Sequence, residues 1–272
     1  MKLFPSTSCL LLLLCLSIGA QAGQLRVFVS VAPQKFLVER IGGDTVDVRL
    51  MLQPGHSPEL YEPLPGQLAA LEQADIYFRI GVPFEEHWRE QLRSTGDLTV
   101  VNCCDDPPGA TEADPHVWTS PPYMMRLAGL IKQHLQQQRP QHRALYERNH
   151  DGLLTDLESL HQYIRQQLWQ RSKSSVFVVH PSWGHFAEAY NLQQHALERH
   201  HGHVGIRGMV ELVRLARQEK ASVLFSQRQY HLASAATFAD EINAEIVMLD
   251  PLAEDYLNNM RYVARQFARA VQ

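Results

Sequence analysis

The chain has 272 residues, 45% of them hydrophobic and 20% charged, with a formal net charge of −4. That is enough chain for one large domain or two smaller ones with a real core. So mild a charge gives no electrostatic case for nucleic acid or an anionic membrane surface as a partner.

The first 22 residues read as a secretory signal peptide. Lys2 supplies a positive start, Leu10 to Ile18 an apolar run, and Ala20-Gln21-Ala22 an A-x-A cleavage signal before Gly23. The run falls short of the ~20 apolar residues that span a bilayer, and no later segment is long and apolar enough to do so. Leu14 stands where a lipidated Cys15 would want a small residue, so export of a soluble chain is expected. Only Cys103 and Cys104 then remain, and adjacent cysteines pair only in a strained ring. They are read as two thiols near a strand end, with a labile vicinal disulfide as the other reading.

From Gly23 onward, short strands rich in Val, Ile, Leu and Phe alternate with amphipathic helices. The strands are expected at Leu25–Val31, Val46–Leu52, Asp75–Ile80 and Leu98–Asn102, then at Ser175–Val179, Ser222–Phe225 and Glu245–Leu249. Helical patterns lie at Gln34–Ile41, Gln67–Gln73, Phe84–Arg93, Gly208–Gln218, Ala233–Ile242 and Asp255–Ala270. This alternation predicts βαβ units with parallel sheets. Between Pro122 and Arg171 the pattern changes. Leu127, Leu130, Ile131 and Leu135 mark one helical face. Leu153, Leu157, Leu160, Ile164 and Leu168 mark another, on a helix from Pro140 to about Trp169 that is roughly 40 Å long. The fold class is therefore α/β: two Rossmann-like lobes, over 23–139 and 172–272, joined by a long helix over 140–171. A helix in place of flexible hinge strands predicts limited lobe closure.

Four polar residues follow strands: His56, His116 in "DPHVW", His180 at the end of "SVFVVH", and Asp250 at the end of "EIVMLD". Ligands of open α/β sheets bind outside the carboxyl ends of the strands, so two residues from each lobe converge if the lobes face each other. Three imidazoles and a carboxylate suit four-coordinate Zn2+, whereas Mn2+ prefers more oxygen ligands. Pro58, Pro115, Pro181 and Pro251 stiffen the backbone beside each candidate. Each residue also has an ordinary reading as a capped loop or turn residue, and it is their shared placement that points to a metal. The chain holds 14 histidines, four of them between His195 and His203. His200, His201 and His203 are candidates for an accessory zinc site, or else form a solvated polar turn. His185 is expected to pack on the following helix. His134, His142, His150 and His161 are expected at the surface of the central helices.

Alternatives to metal capture are a secreted zinc hydrolase and a binding protein for an organic solute or metal chelate. The hydrolase needs an open coordination position and a nearby base, for which Glu59 or Glu62 is available, but no H-E-x-x-H or G-x-S-x-G motif is present. A solute cleft calls for aromatic and Arg lining, and the strand-end residues are mostly small metal ligands.

In "PGHSPELYEPLPGQLAALEQADIYFRIG", "DPHVWTSPP", "VVHPSWGHFAEAYNL" and "IVMLDPLAEDY" the chain resembles the zinc/manganese solute-binding proteins of bacterial ABC transporters. These are the metal-binding cluster with a helical backbone between two lobes, and the match runs over essentially the whole chain after the signal peptide. The resemblance implies a metal cleft between the lobes, high-affinity capture of a divalent metal in the periplasm, Zn2+ ahead of Mn2+, and delivery to a membrane permease. It also implies a monomer and no enzyme activity. Residue by residue it implies His116, His180 and Asp250 as ligands. Some manganese-specific members carry glutamate at the position of His180, so the histidine leans toward zinc. The first-lobe loop departs from the family's G-x-x-P-H-x-Y-E-P, because Glu59 stands where that histidine would be and the histidine has moved back to His56. Either His56 swings into the cleft or Glu59 coordinates by oxygen, and a water in that place is a third reading. His56 is the expected ligand, since a nitrogen suits Zn2+ and the neighbouring Gly55 permits unusual backbone angles. Tyr61 and Glu62 are expected to brace the loop.

Overall fold

The structure, a computed structural model, describes residues 23–88, 97–104, 114–169, 171, 174–199, 202–230 and 233–271. The expected signal peptide, along with His200 and His201, lies outside the described residues. Four parallel strands form the first sheet: β1 (Leu25–Val29), β2 (Val46–Leu50), β3 (Ile76–Arg79) and β4 (Thr99–Asn102), in the order β2-β1-β3-β4. Helix α1 (Ala32–Gly42) connects β1 to β2, and α2 (Pro65–Leu71) precedes β3. The second sheet contains β5 (Ser175–Val178), β6 (Gln193–Ala196), β9 (Val223–Ser226) and β10 (Glu245–Met248), in the order β10-β9-β5-β6, again all parallel. Both sheets reverse direction of growth beside their first strand, which opens a crevice at the carboxyl end of each.

The segment Phe84–Arg93, expected to be a helix, begins as a 3-10 turn over Pro83–Trp88. Strand β6 was not anticipated. Its sequence, Gln-Gln-His-Ala, has no apolar run because it is an edge strand with exposed and half-buried side chains. The histidine-rich segment, expected as a turn, contains a small antiparallel pair, β7 (Glu198–Arg199) with β8 (Gly202–His203).

Helix α3 (Pro121–Gln138) starts on two prolines, which cost nothing in a first turn whose N–H groups have no helical partner. A 3-10 turn at Pro140–His142 leads into α4 (Arg143–Gln167), whose 25 residues run roughly 38 Å. Its buried residues Tyr146, His150, Leu153, Leu157, Leu160 and Ile164 recur at alternating steps of four and three, giving one straight apolar seam. That seam packs against α1 and α3 of the first lobe and against α8 (Tyr256–Ala270) of the second. His150, expected at the surface, is buried within it.

The second sheet alternates as a period of two requires. Val176, Val178, Val223 and Phe225 join the main core, which is continuous from Leu25 through α4 to Ala268. The short α5 (Gly184–Ala189) links β5 to β6, and Phe177, Val179 and Leu224 face the other way, into a smaller cluster under α6 (Ile206–Gln218) and α7 (Ala233–Ile242). Cys103 and Cys104 are buried thiols just after β4. Among the described residues, no helix is long and apolar enough to cross a membrane.

Candidate metal centre

After β2 the chain turns twice. The His56 N–H donates to the Gln53 carbonyl at 3.2 Å across Pro54 and Gly55, with Gly55 at φ +84°. This is a type II turn, whose third position demands a positive φ that glycine adopts without strain. A second turn follows, with the Leu60 N–H on the Ser57 carbonyl at 3.2 Å. The two turns leave His56 exposed, its ring edge-on to Tyr61 at 5.3 Å, and carry Glu59 inward. Tyr61 donates to Gln67 Oε1 at 2.7 Å, and Gln67 donates to the Met51 carbonyl at 2.7 Å, which pins the loop to the end of β2.

His116 lies between Pro115 and a 3-10 turn at Val117–Thr119. Its Nδ1 is 2.7 Å from Asp114 Oδ1, which also accepts the His116 backbone N–H at 2.9 Å. A carboxylate on Nδ1 holds that proton and aims Nε2 outward, the usual way of orienting a metal-binding imidazole. His185 donates from Nε2 to the Asp114 carbonyl at 2.8 Å. Gly184 makes room for this arrangement, since a Cβ there would collide with the Asp114 carboxylate.

His180 comes directly off β5. Its Nδ1 lies 3.3 Å from Glu198 Oε2 on β7, and its ring stacks on Tyr230 with centroids 4.5 Å apart. The His180 Nε2 is 3.1 Å, and the His116 Nε2 3.3 Å, from the same oxygen, Glu59 Oε1. Both histidines are almost wholly buried, at 3% and 2% exposure.

Burial would raise the Glu59 pKa, but hydrogen bonds and charge from His116 and His180 outweigh it and hold the carboxyl well below its usual range. Burial would likewise depress His116, yet Asp114 and Glu59 together push it up to about 9. Asp114 is held below the usual carboxylate range against its own burial, chiefly by His116. The Tyr230 phenol is pushed well above its ordinary value by burial and then by the Glu59 charge.

Glu59, His116 and His180 thus offer one oxygen and two nitrogens, all within 4.8 Å of one another. A tetrahedral metal with ligand bonds of ~2.0–2.1 Å has ligand–ligand edges of about 3.3 Å, and the two carboxylate–imidazole distances are close to that. Asp250 and His56 are elsewhere. They line a separate cavity of about 160 Å³ with Gln53, Gln229 and Glu254. Asp250 is exposed, its Oδ1 accepting the Leu252 N–H at 2.8 Å. The structure therefore brings His116 and His180 together with Glu59, and leaves the other two candidates in a different cavity. Sequence reasoning did not single out Ser57, Asp114, Glu198 or Tyr230. Tyr230 stands in the turn after β9, further past its strand end than His180 is past β5, so the strand-end rule that flagged His180 reaches it only weakly.

The model of the ZnuA family, described as the periplasmic component A of a zinc-uptake complex, matches residues 27–270. A putative metal-binding protein of Chlamydia muridarum is 30% identical over 90% of this chain and 91% of its own. The manganese-binding lipoprotein MntA of Bacillus subtilis is 26% identical over 74% of this chain and 70% of its own. A crystal structure of a ZnuA deletion mutant with zinc bound superimposes with a TM-score of 0.85 at 34% identity, covering 91% of this chain and 98% of that one.

Proposed function

This chain belongs to the ZnuA family of periplasmic metal-uptake components, and from that membership we propose that it captures Zn2+ and hands it to an ABC-transporter permease. The family is one of metal-binding transporter components, so the chain is read as a carrier and not as an enzyme. The observation that carries the zinc reading is the convergence of two buried imidazole Nε2 atoms on a single carboxylate oxygen, drawn from both lobes. Two nitrogens and one oxygen favour Zn2+ over Mn2+, which prefers more oxygen donors. We assign Glu59, His116 and His180 as ligands, and leave Asp250 and His56 to the separate cavity they line. Signal-directed export and the monomeric state are parts of the same proposal.

The test is zinc titration against a competing chelator. Glu59→Ala is expected to weaken binding by about 100-fold, and His56→Ala and Asp250→Ala by less than about tenfold. A His56→Ala loss equal to that of Glu59→Ala would return His56 to the ligand set.

Zinc affinity should also depend on pH well above the range of an ordinary histidine. His116 is held up to about 9, so zinc must displace its proton at any lower pH. Between the usual ~6.5 and about 9, affinity is expected to rise by about tenfold per pH unit for that one proton. Without metal the linkage has the opposite sign. The raised pKa stabilises the fold below ~6.5, and this contribution disappears as pH rises through about 9. An affinity that stayed flat above pH ~7 in non-chelating buffers would contradict this account.

A further inference from the structure

The two oxygens of Glu59 are held differently. Oε1 faces His116 and His180. Oε2 accepts the Tyr230 hydroxyl at 2.8 Å and the Ser57 hydroxyl. Those two hydroxyls are themselves 3.3 Å apart. Ser57 is buried and comes from the first-lobe loop, whereas Tyr230 comes from the turn after β9 in the second lobe. Tyr230 is fixed a second time by its stack on His180, the two rings being inclined by only 14°. A carboxylate whose outer oxygen carries two hydroxyl donors cannot rotate that oxygen toward the imidazoles without breaking both hydrogen bonds.

We propose that Tyr230 and Ser57 form a clamp that makes Glu59 a one-oxygen ligand and thereby sets metal selectivity. This rests on the assignment of Glu59 as a ligand. Zn2+ is content with four donors, so it loses nothing by binding a single carboxylate oxygen. Mn2+ takes more oxygens in an octahedral shell, and the clamp withholds the nearest extra one. Tyr230 and Ser57 are positioning residues in this scheme, since they act through Glu59 and do not touch the metal. The clamp also joins the lobes, because a donor of the second lobe fixes a ligand of the first.

The experiment compares Zn2+ and Mn2+ affinities, by chelator competition, in the wild type, Tyr230→Phe, Ser57→Ala and the double variant. Tyr230→Phe keeps the ring on His180 and removes only the hydroxyl, so it serves even if the double variant folds poorly. The zinc-to-manganese affinity ratio is expected to fall about tenfold in each single variant and further in the double, the scale set by removing partners that orient a ligand. Co2+ substitution supplies a second readout. The intense visible bands of a tetrahedral wild-type site should weaken in the variants as the second oxygen joins and the coordination number rises, which a purely structural role would not produce. If Glu59→Ala leaves zinc affinity unchanged, the ligand assignment falls and the clamp falls with it. If Glu59→Ala weakens zinc binding while the variants keep the wild-type metal ratio and Co2+ spectrum, the clamp alone is wrong.

Discussion

His116→Ala is expected to lower zinc affinity by at least about 100-fold, at or above the upper end of the 10–100-fold that loss of a ligand's supporting partner costs. Its Nε2 is one of two imidazole nitrogens 3.1–3.3 Å from Glu59 Oε1. At 2% exposure it has almost no water beside it to take its place. Its loss also leaves Glu59 ionised in a buried site with one imidazole partner where it had two, and Asp114 without its main hydrogen-bond partner. Asp114→Asn gives the graded control. The ring stays, but the carboxylate that holds its Nδ1 proton becomes neutral, and about 10–100-fold is expected. Chelator competition on the purified protein reads both values. A loss below about tenfold for His116→Ala would remove this residue from the ligand set.

The largest stability effect is expected two residues on. Trp118 is fully buried in the main core, 5.2 Å from the His116 ring, and its indole N–H donates to the Pro251 carbonyl at 2.8 Å. It therefore fills space beside a site histidine in the first lobe and satisfies a backbone acceptor in the second. Trp118→Ala should destabilise by about 3–5 kcal/mol, the usual range for deleting a buried aromatic. At roughly 2–4 °C per kcal/mol for a chain of this size, that is a melting-temperature drop of roughly 6–20 °C. Trp118→Phe keeps most of the apolar area but leaves the Pro251 carbonyl unpaired, so about 1–3 kcal/mol is expected. Urea or thermal unfolding of the metal-free protein measures both. A Trp118→Ala effect under about 1 kcal/mol would show that the side chain does not tie the lobes together.

What sequence reasoning reached, and where it stopped, follows from how each signal is encoded. The apolar strands and the seam of α4 were legible because burial on two faces or along one stripe leaves a periodic record. Strand β6 left none, since an edge strand of Gln-Gln-His-Ala packs almost no apolar side chain. His116 and His180 stood out because strand ends in open α/β sheets are where ligands gather, and the structure buries the two side by side with Glu59. Seeing which of His56 and Glu59 turns inward needed the turn geometry. Pro54-Gly55 reads as a type II turn, but the direction in which that turn sends residue 56 depends on where β2 ends against the rest of the sheet. Asp250 satisfies the strand-end rule and still lines a different cavity, its carboxylate capping the Leu252 N–H.

The two-faced packing of the second sheet divides the molecule by how firmly its parts are held. One face belongs to the core that runs from Leu25 through α4 to Ala268, and the other carries α6 and α7 on a much smaller apolar cluster. Segments with fewer buried contacts open locally at lower free energy than the whole protein. The α6–α7 layer is therefore the part of the fold that can breathe on its own. His116 and Glu59 are anchored to the larger body, and His180 leaves β5 at the boundary between the two. Local opening of that layer would loosen His180 and also Tyr230, which packs on the smaller cluster and holds Glu59 Oε2, while His116 keeps its place on the larger body.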